Sequence, residues 1–218
     1  MLYAVTTVRP EAAYSVGVLC RFMENPAHEH IMAADQLLGY LVGTKNLGLM
    51  FHVGNEELHS TYRPLEPPDA ASDSDWSTGR SISGFYVSLA GAAVAWCSKR
   101  QPVTALSSTE AEYYAASAAG TEVLFVRYLL RDTGYVQNDP TNMRCDNSAC
   151  VALSVHSNAF KRVRHIDRRV NFLTDYVESK QLKLNLVSTH NNEADLFTKP
   201  LDRAKFIKFR DTIMGLGR

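Results

Sequence analysis

Apolar positions in the first fifty residues recur at helical spacing. A largely apolar run from Ala12 to Met23 stops at the breaker Asn25-Pro26, and "HIMAADQLLGYLVGT" continues the pattern to Gly43. The pair predicts a helical hairpin, and "LGLMFHV" after it predicts a strand. Residues 55–72, "NEELHSTYRPLEPPDAAS", are polar with three prolines and predict a linker. The pattern then changes. "SGFYVSLAGAAVAWCS" predicts a hairpin turning at Ala90-Gly91. A long helix follows, whose apolar stripe is Ala115, Ala116, Ala119, Val123, Val126 and Leu130, closed by Gly134 as C′ residue. "TNMRCD" predicts a short strand, "SACVALSV" one or two helical turns, and "IDRRVNFLTDYVESK" an amphipathic helix. "QLKLNLVST" alternates, with Leu182, Leu184 and Leu186 on one face, and "NNEADLFTK" and "DRAKFIKFRDTIMG" begin two further helices. Strands followed by alternating helices and strands predict an α/β class.

Two glutamates open the long helix within "ALSSTEAEYYAA". Ser107 followed three residues later by Glu110 matches a capping box, which gives Glu110 a structural task. Glu112 instead heads the apolar stripe. A carboxylate there either bends into water at the stripe's edge or is paired or bound to a metal, since burying it alone is costly.

Composition narrows the class. A chain of 218 residues, 45% hydrophobic and 21% charged, is ordinary for a globular protein of one domain or slightly more. No apolar run approaches the roughly 18 residues that span a bilayer, and "MLYAVTTVRP" lacks the basic start and apolar core of a secretory signal. Cys20, Cys97, Cys145 and Cys150 form no C-x-x-C pair and are expected to be reduced thiols of an intracellular protein. The net charge is zero but uneven. Residues 1–75 hold four Lys/Arg against ten Asp/Glu, and residues 160–210 hold twelve against six. The densest piece, "KRVRHIDRR", is either a solvated helix face or a contact for an anionic partner. "DTG" at 132–134 closes a helix, and His28 and His30 of "HEH" do not share a helical face, which argues against zinc there.

Acidic residues fall at strand ends and helix starts: Asp73 and Asp75 at the first strand of the second region, Glu112 on the long helix, Asp146 after "MRC", and Asp195 in the first turn after the last strand. Gathered at one point they would raise one another's pKa unless a hard divalent cation compensated them. Position alone equally allows four separately solvated carboxylates.

The motifs "DSDW…SGFYV", "SKRQPVTALSSTEAEYYA", "RCDN", "RHID" and "ADLFTKPL", in this order, resemble the ribonuclease H domain of Ty/copia-type retrotransposon polyproteins. "YAVTTVRPEAAYSVGVLCRFMENP" and "LLGYLVGTKNLGL" resemble the thumb or connection that follows the reverse-transcriptase palm. The resemblance covers nearly the whole chain. It implies residues 1–53 as the thumb/connection-like segment, 54–70 as linker, 71–200 as a ribonuclease H-like domain with a five-stranded mixed sheet flanked by helices, and 201–218 as a C-terminal helix. It also implies hydrolysis of the RNA strand of RNA–DNA hybrids with two Mg²⁺ or Mn²⁺ ions, and a catalytically decayed remnant or an interaction module as alternatives. The family's metal-binding acids fall on Asp73, Glu112, Asp146 and Asp195, and His190 falls where related enzymes carry a mobile histidine. Lys99, Arg100, Arg164, His165 and Arg168 are the implied nucleic-acid contacts, with the Lys199, Arg203 and Lys205 region beside them. The implied partners are the hybrid and the reverse-transcriptase palm of the same polyprotein, with no membrane, in a cytoplasmic virus-like particle or the nucleus. One departure stands out: "EPPDAASDSD", with two prolines and no β-branched residue, makes a poor central strand and leaves Asp75 as an alternative to Asp73. No tyrosine-x-aspartate-aspartate motif occurs in the chain, so primer extension is not expected.

Overall fold

A computed structural model describes residues 1–52, 67–76, 80–155 and 167–217, with backbone alone for 167–171. The strands are β1 (Asp69–Asp75), β2 (Ile82–Leu89), β3 (Ala92–Arg100), β4 (Thr141–Cys145) and β5 (Leu182–Leu186). They form one sheet in the order β3-β2-β1-β4-β5. β1, β2 and β3 are antiparallel neighbours, whereas β4 runs parallel to both β1 and β5. The β2–β3 turn falls at Ala90-Gly91 as the pattern predicts, both with positive φ (51° and 87°), the conformation that matches a two-residue hairpin to strand twist.

Helices α4 (Ser108–Asp132), α5 (Ser148–Val155) and α6 (Asp167–Glu178) cover one face. The α4 stripe from Ala115 to Leu130 is buried there with Phe85, Val87, Met143, Leu173, Leu182 and Leu184, while Leu186 emerges at the strand end. The other face is closed by α7 (Arg203–Met214) and a 3₁₀ turn, Glu193–Phe197, through Phe197, Phe209, Ile213 and Met214. A five-stranded mixed sheet flanked by helices is the ribonuclease H-like fold expected above.

The weak strand of the sequence is the central one. Ala70, Ala71 and Ser72 of β1 are fully buried, Ala70 against the α4 layer and Ala71 against the layer of Phe197. Small side chains let both layers close on β1, so burial overrides low strand propensity. Pro67 and Pro68 lie before the ladder starts at Asp69 and remove none of its hydrogen bonds. The strand thus begins two residues ahead of the boundary expected at 71, and residues 54–66 of the expected linker lie outside the described residues, as does residue 53 before them.

The N-terminal segment is more broken than a simple hairpin: α1 (Leu2–Thr7), a 3₁₀ turn Pro10–Ala12, α2 (Ala13–Leu19), a 3₁₀ turn Cys20–Phe22, and α3 (His28–Gly43). It leans on the sheet, where the Trp96 indole donates to the Val5 carbonyl at 2.7 Å. "LGLMFHV" does not form the expected strand over its described part. Leu47 and Leu49 pack on the second core, and the Met50 and His52 amides donate to the carbonyls of Met214 and Ala90. This apolar run is buried by covering the α7 end and the hairpin turn, not by joining a ladder. No helix among the described residues is long and apolar enough to cross a membrane.

Gly84 sets the distance between β2 and the 3₁₀ turn. A Cβ there would meet Thr198 Cγ2 at 2.6 Å, Phe197 Cβ at 2.7 Å and the Ala194 carbonyl at 3.1 Å. Gly84→Ala is expected to cost roughly 1–3 kcal/mol, the usual range for overpacking, read as a lower denaturant midpoint at unchanged slope. A change under about 0.5 kcal/mol would show that the turn moves freely away from β2, against the packing described.

Candidate metal centre

Four elements bring acids to one end of the sheet. Asp73 lies near the end of β1, Glu112 at the start of the second turn of α4, Asp146 directly after β4, and Asp195 in the 3₁₀ turn. Carboxylate oxygens of Asp73, Asp146 and Asp195 lie within 4.8 Å of one another, and Glu112, Asp146 and Cys145 form a second such group that shares Asp146. Parallel β1 and β4 end side by side, which places Asp73 and Asp146 together. Asp75 belongs to neither group. It lies two residues on, toward α2, where its charge adds to burial in raising the Tyr14 hydroxyl pKa.

Each acid is held by its surroundings. Glu112 accepts from the Ser74 amide at 3.1 Å, tying α4 to β1. Its second oxygen, Oε2, is buried and has no hydrogen-bond partner among the described residues. Asp73 accepts from the Thr198 hydroxyl. Asp195 is fully buried with Lys199 Nζ at 2.7 Å and Lys205 Nζ at 2.6 Å, and Lys199 also stands 3.7 Å from Asp73. Sequence reading expected a helix to start here. The chain instead makes a 3₁₀ turn, capped by Asn192, whose side chain accepts from the Ala194 amide and donates to the Ser72 carbonyl at 2.9 Å. Buried Asn192 thereby fastens the Asp195 turn to β1. Its role and that of Thr198 were missed in the sequence. An Asn ahead of an acidic turn is a cap signal, but its partner on β1 is 120 residues away.

Burial, the largest influence, pushes Asp73 up to about 7, with Asp195 and Asp146 adding and Lys199 and Thr198 opposing. Burial likewise pushes Glu112 up to about 10, with Asp73, Cys145 and Asp146 adding and the Ser74 amide opposing. Burial works against the charged form of Lys199, but Asp73 and Asp195 outweigh it and raise that pKa. The acids are thus too crowded to be fully ionised alone, and two ammonium groups supply part of the missing positive charge. Carboxylate oxygens suit Mg²⁺ or Mn²⁺, and Glu112 Oε2 is a buried donor atom without a partner among the described residues. The residues fit a hard divalent cation.

The two glutamates separate as their positions suggest. Ser107 Oγ accepts from the Glu110 amide at 3.1 Å. Glu110 reaches back not to the amide of Ser107 but to that of Leu106, at 2.7 Å, and also accepts from the Tyr114 hydroxyl. Glu110→Ala is expected to cost about 1 kcal/mol of stability, as for other lost caps, with Glu110→Gln milder because its amide oxygen still accepts. Thermal melts of both variants check this, and equal stability of all three proteins would remove the cap role.

The remaining candidates scatter. His190 sits exposed in a 3₁₀ turn, Thr189–Asn191, and joins neither acid group. Lys99 and Arg100 are exposed at the end of β3 and line a cavity of about 240 Å³ against α4, with Gln101, Tyr114 and Thr121. Arg164 and His165 lie outside the described residues, as does the side chain of Arg168. Lys199 and Lys205, expected among the phosphate contacts, stand against Asp195 at 2.7 and 2.6 Å.

No family model matches the chain. It is 36% identical over 206 residues to the retrovirus-related Pol polyprotein from transposon TNT 1-94 of Nicotiana tabacum, covering 94% of this chain and 15% of the relative. It is 34% identical over 210 residues to the counterpart from transposon RE1 of Arabidopsis thaliana, covering 94% of this chain and 14% of the relative. The chain thus spans about one seventh of the length of each of these two relatives. Among solved structures, LC11-RNase H1, isolated from compost by a metagenomic approach, is 13% identical with a TM-score of 0.47, covering 62% of this chain and 94% of that one.

Proposed function

Because this chain belongs to the retrovirus-related Pol polyproteins of Ty/copia-type transposons, we propose that its ribonuclease H-type domain is a metal-dependent endoribonuclease that cuts the RNA strand of RNA–DNA hybrids. The observation that carries this reading is the convergence of Asp73, Asp146 and Asp195 within 4.8 Å, with Glu112 beside Asp146. Asp73, Glu112, Asp146 and Asp195 would hold two Mg²⁺ or Mn²⁺ ions. When bound, such ions activate water and offset charge on the attacking and leaving oxygens of a phosphodiester.

The protein's own residues prepare that chemistry. The Ser74 amide and Thr198 hydroxyl hold one oxygen each of Glu112 and Asp73, and the second oxygens would be the ones to hold the cation. Lys199 and Lys205 pair with Asp195 in its fully buried position. Lys199, whose ammonium stands part-exposed between Asp73 and Asp195, would turn to a phosphate when the acids hold cations. Lys99 and Arg100, at the rim of the β3–α4 cavity, would take backbone phosphates further along the duplex, with Arg164, His165 and Arg168 extending the contact. Hybrid would be told from DNA duplex by shape and 2′-hydroxyl contacts. In the polyprotein the N-terminal segment would dock on the reverse-transcriptase palm. In support, α3 buries none of its residues here and leaves Ile31, Met32, Leu38 and Val42 exposed.

The test is incubation of the chain with an end-labelled RNA–DNA hybrid, with and without Mg²⁺. Shortened RNA and intact DNA, only with Mg²⁺ or Mn²⁺, are expected. Binding to the hybrid should weaken with salt, since phosphate contacts release counterions. Primer extension should stay at background. Binding without cleavage at any Mg²⁺ or Mn²⁺ concentration would instead identify a catalytically decayed remnant.

A further inference from the structure

We propose that Cys145, Glu112 and Asp146 form a site for a thiophilic divalent cation of the zinc class, distinct in donor chemistry from the all-oxygen group of Asp73, Asp146 and Asp195. Cys145 ends β4 on the face that meets α4, fully buried. Its sulfur and one oxygen each of Glu112 and Asp146 lie within 4.8 Å of one another. The site has an unsatisfied donor: Glu112 is 7% exposed, and its Oε2 has no hydrogen-bond partner among the described residues. The sulfur is also supported from behind. The Cys150 thiol of α5, fully buried, hydrogen-bonds with Cys145, so a Cys145 thiolate keeps a donor when it gives up its own proton.

Donor type decides which cation the group takes. Mg²⁺ takes oxygen ligands and leaves the sulfur unused. Zinc binds thiolate at about 2.3 Å and carboxylate at about 2.0–2.2 Å, so a tetrahedral site brings sulfur and oxygen to roughly 3.6 Å. A contraction of roughly 1 Å, within reach of side-chain torsions at the ends of β4 and α4, closes the site. Binding forms one metal–sulfur and two metal–oxygen bonds and releases to solvent the Cys145 thiol proton and the proton that Glu112 holds in the metal-free protein. Asp146 belongs to both groups, and Glu112 is also among the four acids proposed to hold the hard cations, so a filled thiolate site withdraws two acids from that centre. This last consequence rests on the function proposed above, whereas the site itself does not.

The test uses the full 218-residue chain titrated with Co²⁺ as a spectroscopic stand-in for Zn²⁺. The parent should give a thiolate-to-cobalt charge-transfer band in the near ultraviolet, saturating at one equivalent and bleached by Zn²⁺. Cys145→Ser should lose the band and bind Zn²⁺ at least about tenfold more weakly, as even losses behind a ligand do, while keeping its melting shift with Mg²⁺. Should Cys145→Ser not fold, a Cys20→Ser/Cys97→Ser double variant, which leaves both buried thiols in place, must keep the band. No band in the parent, a band surviving in folded Cys145→Ser, or a band lost in the double variant overturns the site. Zn²⁺ loading should also abolish the Mg²⁺ melting shift of the parent, and independent Zn²⁺ and Mg²⁺ shifts would overturn the competition. A parent that cleaves hybrid but gives no band sinks this site alone, and one that gives the band but never cleaves sinks the ribonuclease reading alone.

Discussion

Glu112→Gln is expected to lower hybrid cleavage at least about a hundredfold, or ~2.7 kcal/mol of transition-state stabilisation, without destabilising the metal-free protein. Burial and the neighbouring acids raise the Glu112 pKa to about 10, so the folded, metal-free protein carries a neutral side chain there at pH 7. Glutamine copies that neutral form, and its oxygen still accepts from the Ser74 amide. With cation present the comparison reverses. The parent gains stability as RT ln(1 + [Mg²⁺]/Kd), about 2.7 kcal/mol at a hundred times Kd, and the variant loses a charged ligand and most of that gain. The raised pKa has a further consequence. Folded Glu112 holds its proton more tightly than the unfolded chain, so its contribution to metal-free stability is full below about 4.5 and declines as pH rises toward about 10. Glu112→Gln should flatten the alkaline part of that decline. Melts across pH in EDTA, then with Mg²⁺, and cleavage of one hybrid cover all three statements. Unchanged cleavage in Glu112→Gln would remove it from the centre.

Asp73→Asn should match that loss of cleavage and separate Asp73 from Asp75. Asp73 is 2% exposed and its pKa is raised by burial from 3.8 to about 7. Its proton therefore stabilises the folded form below about pH 4, and that contribution is lost as pH rises through about 7. In EDTA the parent should lose stability over this window, and Asp73→Asn should lose less, because an amide does not titrate. With Mg²⁺ the parent's slope should shrink, since a bound cation keeps the carboxylate ionised at either end of the window. Asp75→Asn, two residues on and outside both acid groups, should keep the parent's cleavage within a small factor. Cleavage lost in Asp75→Asn but kept in Asp73→Asn would reverse the assignment.

What the sequence by itself determined is local. Hydrophobic spacing located α4 and its buried stripe, and Gly134 closes that helix with the positive φ its position calls for. The spacing of Glu110 and Glu112 separated cap from stripe, and the Ala90-Gly91 hairpin and the Leu182–Leu184 strand face came from short-range pattern. These depend on neighbours within a turn or a pleat, which are visible in one dimension. Other features depended on partners far along the chain. Strand β1 has poor propensity and three fully buried small residues, and only the closure of α4 and the Asp195 turn on its two faces makes it the central strand. The "LGLMFHV" run had strand-like composition but found its burial over α7. The Asp195 turn is 3₁₀ because Asn192 and Thr198 tie it to β1, and Lys199 and Lys205 gather on Asp195 because a fully buried carboxylate needs positive charge. The approach of Cys145 to Glu112 likewise joins residues 33 positions apart, and only the packing of α4 against the sheet brings sulfur and carboxylate together.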